Sequence, residues 1–430
     1  MASTRIYSRV PVRSRPALIA TLFAIFLMVS ATTPPAAAPS SHDDSDPDPM
    51  AMMEQMEPMD HWMTMSHGYA FLTFNRQGGP SGGQQFESEN HFMLMSMRRW
   101  WGGKLSLLGT FTIEPATVPK EGYPLLFQRG ETYQDVLLVD LQHPHDLFVQ
   151  LATRWDRPLS ENIDFGLYLA PVGEPAVGPT AYPHRLSASV NAMSPLAHHN
   201  QDSTHQTSDV VTVSLGVPKV TFEASAFHGA EPDDVRWDID QGSLDSYAGR
   251  VTVRPGAGFS FQVSAARRQD PEELEEGDQT RQTASLEYIK GRSDGFLAAT
   301  LIVGRNLLRE GTEWGNGIEA TWKFGGKHYL FGRVESVDRD LFELINKMQR
   351  PAGVEPERTT VQAATAGYVQ SVPLGIFRDG VDSGLGAAVT FYRYDDDLEE
   401  TYGDTPVSVQ VFLKVGFSAG GGMAHTMPHH

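Results

Sequence analysis

From Gly68 to Phe417 apolar and polar residues alternate with a period of two, and helical periodicity is hard to find. Val211, Val213, Leu215 and Val217 share one face while Thr212 and Ser214 take the other. Ile318, Ala320, Trp322 and Phe324 alternate with Glu319, Thr321 and Lys323. Tyr247, Gly249, Val251 and Val253 alternate with Arg250, Thr252 and Arg254, and Phe259, Phe261, Val263 and Ala265 with Ser260, Gln262 and Ser264. A soluble sandwich also alternates. Here the polar face carries charge in strand after strand and the apolar face is rich in aromatics, which suits a closed barrel with a polar interior and a lipid-facing exterior.

Connection lengths give an independent test. The segments run near Tyr69–Asn75, His91–Trp101, Lys104–Glu114, Leu147–Arg157, Ile163–Pro171, Asp209–Val217, Val220–His228 and Tyr247–Arg254. They continue near Phe259–Arg267, Thr280–Ile289, Phe296–Asn306, Gly317–Phe324, Tyr329–Val337, Thr360–Val372, Gly384–Tyr394 and Val407–Phe417. That makes about sixteen, with fourteen as the alternative, an even number of the kind bacterial barrels use. Tight turns such as Gly102-Gly103, Pro218-Lys219 and Gly325-Gly326 follow the even strands; the turn after the fourteenth, from Gly375 to Asp382, is looser. Longer loops follow the odd strands, the longest near Val172 to Ser208. A sandwich has no reason to sort loops by parity. The expected fold is therefore all-β, a transmembrane antiparallel up-and-down β-barrel over 68–417 with long extracellular loops.

The N-terminus agrees. Arg5, Arg9, Arg13 and Arg15 precede an apolar run from Ala17 to Ala31, followed by small residues, as in a secretory signal peptide over 1–31 with cleavage as late as 38. The run is shorter than the roughly 20 residues a membrane helix needs. The expected location is the outer membrane of a Gram-negative cell with both termini periplasmic, in contact with lipid and lipopolysaccharide. A charge of −19 argues against a nucleic-acid partner, and the lack of cysteine excludes disulfides and thiolate sites. Acidic loops such as Glu231-Pro232-Asp233-Asp234 read as solvated faces or as sites for bridging divalent cations.

The final strand, VSVQVFLKVGF, ends on Phe417 and resembles the C-terminal signal by which barrel-assembly machinery recognises outer-membrane proteins, which implies that machinery as a partner. A tail, 418–430, follows it here.

Ligand-type residues gather in three places. The 32–67 segment, expected to be disordered and periplasmic, holds Met50, Met52, Met53, Met56, Met59, His61, Met63, Met65 and His67. The tail holds Met423, His425, Met427, His429 and His430. Thioether and imidazole suit copper, with thioether favouring Cu(I); the bland alternative is biased, unstructured ends. A Met/His-rich leader before a barrel is similar to outer-membrane copper-resistance proteins in architecture and composition, without a shared motif. That resemblance implies copper sequestration or efflux.

The third group lies on two early loops. Gln142-His143-Pro144-His145-Asp146 enters the fourth strand and His198-His199-Asn200-Gln201-Asp202-Ser203-Thr204-His205 the sixth, with His184 on the same loop. His143, His145, Asp146, His184, His198, His199, Asp202 and His205 are types that suit zinc, copper or nickel, although hydrogen bonds that pin loops would use them equally. These strings, with HGAEPDDVRWDIDQGSLDSY, resemble those of an uncharacterised bacterial envelope barrel family, which implies no activity. The function expected is a porin-like channel or solute- and metal-handling barrel rather than an enzyme. The alternatives are a plugged structural or adhesive barrel and an outer-membrane lipolytic enzyme built on His199, Asn200 and Ser203. No cofactor is certain; copper or zinc is the candidate.

Overall fold

The computed structural model describes residues 57–274, 277–373 and 381–420. The signal peptide, Met50, Met52, Met53 and Met56 of the leader, and Met423, His425, Met427, His429 and His430 of the tail lie outside the described residues.

The described chain forms β1 (Met63–Arg76), β2 (Gln84–Glu87), β3 (Asn90–Trp100), β4 (Gly103–Phe111), β5 (Tyr123–Tyr133), β6 (Val136–Gln142), β7 (Phe148–Ser160), β8 (Ile163–Gly173), β9 (Thr207–Val217) and β10 (Val220–Phe227). It continues with β11 (Ser246–Gly256), β12 (Phe259–Arg268), β13 (Gln279–Arg292), β14 (Gly295–Leu308), β15 (Gly311–Phe324), β16 (His328–Asp340), β17 (Arg358–Ser371), β18 (Val381–Arg393) and β19 (Val407–Gly420). All but β5 and β6 belong to one 17-stranded antiparallel sheet. β2 and β3 both pair with β1, interrupted only at Ser88 and Glu89, and so form one stave of the barrel. The barrel therefore has sixteen staves, each beside its sequence neighbours, and β1 closes it by pairing with β19 from Met65↔Gly420 to Arg76↔Val409.

Burial is inverted relative to a soluble protein. Leu94, Val213, Leu215, Val263, Leu301, Ile318, Val334 and Val411 are exposed, whereas Thr212, Gln262, Thr300, Thr321, Glu319 and Arg333 are buried. Exposed aromatics stand near the strand ends: Trp100, Trp101, Phe259 and Trp322 toward the tight turns, Phe74, Tyr247, Trp314 and Phe391 toward the loops. A belt of aliphatic side chains between two aromatic girdles is what a bilayer requires of a barrel.

Several features differ from expectation, among them the end of the third strand, which stops at Phe111 and leaves Glu114 in a short helix, Glu114–Thr117. β1 begins at Met63, not Gly68, so Met63, Met65 and His67 belong to the barrel wall; Met65 and His67 pair with Met95 and Met93 of β3. β19 runs on to Gly420. The eleventh and twelfth staves, β14 and β15, stay paired to Leu308↔Gly311, so the loop expected there is a tight turn. And β5 and β6, which form a hairpin of their own inside a long connection, were not foreseen.

Two of the long connections fold inward, the placement that the plugged-barrel alternative allowed, rather than standing outside the barrel. The segment 174–206 between β8 and β9 turns inward and crosses the lumen. The Ala176 and Gly178 amides donate to Ser225 of β10 and Ser264 of β12. Further on, Arg333 and Lys414 donate to the Met193 and Ser189 carbonyls, and Tyr69 to that of Pro183. The β5–β6 hairpin follows it in. Phe127 is fully buried and stacks on Tyr402 at 4.1 Å, and Arg339 donates both to the Phe127 carbonyl and to that of Leu196 on the long loop. Apolar side chains of these segments pack on Phe71, Phe331, Val361, Val369 and Phe412 of the wall, so one side of the lumen is a hydrophobic core.

A candidate metal centre in the filled lumen

The inward loop carries a short helix, His198–Gln201, followed by a 3-10 turn, Ser203–His205. Two wall glycines admit that helix. A Cβ at Gly304 would lie 2.2 Å from the Asn200 carbonyl oxygen, and one at Gly315 would lie 2.6 Å from Asn200 Cβ. Arg281 and Asn306 then both donate to the His199 carbonyl, at 2.6 and 3.0 Å.

So placed, the loop meets the Gln142–Asp146 segment. Ligand atoms of His145, His198 and His205 all lie within 4.8 Å of one another, and all three residues are buried. Their Nδ1 atoms are engaged. His145 Nδ1 is 2.8 Å from Glu114 Oε2, His198 Nδ1 is 2.7 Å from Asp202 Oδ1, and His205 Nδ1 is 3.0 Å from the Asp202 carbonyl oxygen. A carboxylate or carbonyl only accepts, so each neutral ring carries its proton on Nδ1 and keeps the Nε2 lone pair. Nε2 of His145 and of His205 are buried without a hydrogen-bond partner. Metal-binding imidazoles are held in this way, with the outer nitrogen donating to a carboxylate or carbonyl.

Asp202, grouped with these histidines as a ligand type, holds two of the rings: its Oδ1 and its carbonyl oxygen face the Nδ1 atoms of His198 and His205. Its Oδ2 accepts from Arg185 Nη1 at 2.7 Å and the Tyr182 amide at 2.9 Å. Arg185 Nε donates to Glu319 Oε1 at 2.6 Å, and Glu319 Oε2 accepts from Arg333 at 3.1 Å. A buried chain of alternating charge therefore ties the site to β15 and β16. Burial would raise the Asp202 carboxyl, but Arg185 and His198 outweigh it and hold it below the usual carboxylate range. Burial lowers His198, partly opposed by Asp202, and holds His205 well below an ordinary imidazole. Burial opposes protonation of His145, yet Glu114 raises it.

The other expected residues sit around this centre. His143 Nε2 is 2.9 Å from Glu131, and Asp146 accepts from Arg236; burial pushes the Asp146 carboxyl up to about 7. The His199 ring stands 5.7 Å from His143. Burial, with His67 nearby, lowers His184 to about 4. Ser203 accepts from Arg281 at 2.8 Å, which engages the hydroxyl invoked for lipolysis. Met59 and His61 are exposed beside β3, where the Arg99 amide donates to the Met59 carbonyl. His91 and Glu114 were missed. His91 was legible in the alternation His91, Met93, Met95, Met97; Glu114 was read as the last residue of the third strand, so nothing marked it as an acceptor on a connection.

No family model and no curated protein matches the chain. An anion-selective porin from Comamonas acidovorans aligns over 83% of this chain and 100% of its own length, with 11% identity and a TM-score of 0.51. The fold is that of an outer-membrane porin. The outer membrane channel DcaP of Acinetobacter baumannii aligns over 83% of this chain and 96% of its own at 12% identity, with a TM-score of 0.45, too low to add to that statement.

Proposed function

We propose that this porin-fold barrel is a metal-handling protein of the outer membrane, which takes a borderline transition-metal cation from outside the cell onto His145, His198 and His205. The carrying observation is the convergence of three buried imidazoles whose Nδ1 atoms are all committed to acceptors. Three neutral nitrogens with an open fourth position suit Zn(II), and Cu(II) and Ni(II) also take imidazole. In this reading the long loops face outward and the two chain ends, on the tight-turn side, face the periplasm. Glu114, Asp202 and Arg185 are positioning residues. Titration of the folded full chain in detergent with ZnCl2, CuSO4 and NiCl2 tests it. The wild type binds one equivalent more than a His145→Ala, His198→Ala, His205→Ala variant; equal stoichiometry for all three metals overturns the reading.

A second reading, a passive diffusion pore, is favoured by the fold shared with a protein described as an anion-selective porin. The filled lumen speaks against a wide one. Planar-bilayer conductance separates the readings, since a diffusion pore conducts steadily without metal.

A further inference from the structure

The wall of β1 and β3 toward the tight turns has an unusual lining. Their successive lumen-facing positions there are Met63, Met65 and His67 on β1 and Met93, Met95 and Met97 on β3. The register sets them directly opposite one another: Met63↔Met97, Met65↔Met95, His67↔Met93. Directly opposed residues of an antiparallel pair hold their Cβ atoms about 4.5–5.5 Å apart, and the long thioether side chain bridges such a gap easily. Met65, Met93, Met95 and Met97 are buried and form a cluster of their own, with Met63 packed on it. The flanking strands place Ser106, Leu108, Thr110 and Ser418 opposite Met97, Met95, Met93 and His67, and Leu108 packs on the cluster. Packing alone would accept leucine or valine at any of these positions; the sequence uses methionine at all but one of the six.

We infer that this wall is a second metal site, made of thioethers and selective for a soft monovalent cation such as Cu(I). Thioether sulfur is a neutral, polarisable donor that favours Cu(I) over the harder divalent ions. The wall is continuous with the imidazoles above it. Met93 is followed two positions up by His91, whose ring is 5.4 Å from His184 and 5.8 Å from His145, and His145 is 5.0 Å from His205. A cavity of about 20 Å³ beside Tyr69, His91, Glu114 and Tyr182 lies along this course, enough for one water or one ion. Met59, the last methionine of the leader before β1, lies against Arg99 at the same end of β3. The arrangement grades ligands from thioether at the tight-turn end to imidazole beneath the loops. This site stands on the register of β1 and β3 and does not require the three-imidazole centre.

The test uses the folded full chain in detergent and Ag(I), which shares the d10 configuration and softness of Cu(I) and stays monovalent in air. Leader and tail methionines contribute equally to wild type and variants, so the difference between them reports the wall. Met65→Leu, Met93→Leu and Met95→Leu together keep the volume of the cluster and remove its donors. The expected result is the loss of one tightly held Ag(I) equivalent with Zn(II) binding unchanged. The same Ag(I) stoichiometry and affinity in wild type and variant would overturn the site and leave the cluster as packing. Should the triple variant not fold, Met95→Leu alone decides: a tenfold weaker Ag(I) site supports the inference and an unchanged one refutes it. Failure of the imidazole centre would show instead as absent Zn(II) binding with the Ag(I) difference intact.

Discussion

A metal-binding imidazole almost always has its tautomer and direction fixed by an outer partner, and in the proposed centre that work falls to Glu114 and Asp202. Glu114 sits in a four-residue helix after β4 and meets His145 across the connection, accepting from both its amide and its Nδ1. Replacing such an outer partner commonly weakens metal affinity 10- to 100-fold. Glu114→Ala therefore weakens Zn(II) binding by about that range without changing stoichiometry, and Glu114→Gln, which keeps an acceptor, recovers part of the loss; calorimetry reads both. Arg185 plays a different part, because it neutralises Asp202 and Glu319 at once in a dry environment. Removing one member of a buried ion network leaves an unpaired charge at a cost of about 3–5 kcal/mol. Arg185→Met is expected to keep the barrel but release the loop, seen as faster amide exchange across 178–206.

At the scale of elements, the inward loop is held by shape as much as by charge. Gly304 and Gly315 lie on adjacent strands under one helix, and neither has room for a side chain while that helix is seated. Gly304→Val forces the His198–Gln201 helix out of the lumen. Metal binding is then lost and bilayer conductance rises, while the heat-dependent gel shift of a folded barrel persists; an unchanged conductance would show that the loop does not close the pore. This scale also marks what could be read in advance. Staves were legible because alternation and turn residues are local, down to the faces of β9, β11, β12 and β15. The His143–Asp146 and His198–His205 strings were legible as ligand types. How they are held was not, because the His198–His205 string is fixed by Gly304, Gly315 and Asn306, more than a hundred positions away, and the His143–Asp146 string by Glu114, Glu131 and Arg236 on other connections. The β5–β6 hairpin escaped because register shifts break its pairing, so no regular alternation marks it. Met63 and Met65 were assigned to the leader because composition, which joins them to Met50–Met59, masked the alternation that joins them to β3.

The whole molecule is organised by two solvents. Lipid selects the outward residues, and the filled lumen selects the inward ones. A cation on the lipid face near the bilayer midplane costs roughly 2–4 kcal/mol. Ile318→Arg is expected to lose about that much folding free energy in lipid vesicles, whereas the same residue in detergent unfolding is affected less. In the proposed function, the loops that fill the lumen convert a fold able to carry a pore into a vessel for a bound ion. X-ray absorption at the zinc edge of the full chain loaded with one equivalent tests it most directly. The account predicts a first shell with three imidazole nitrogens at about 2.0–2.1 Å, reduced by one nitrogen in His205→Ala. A shell dominated by oxygen, or one identical in wild type and variant, would contradict it.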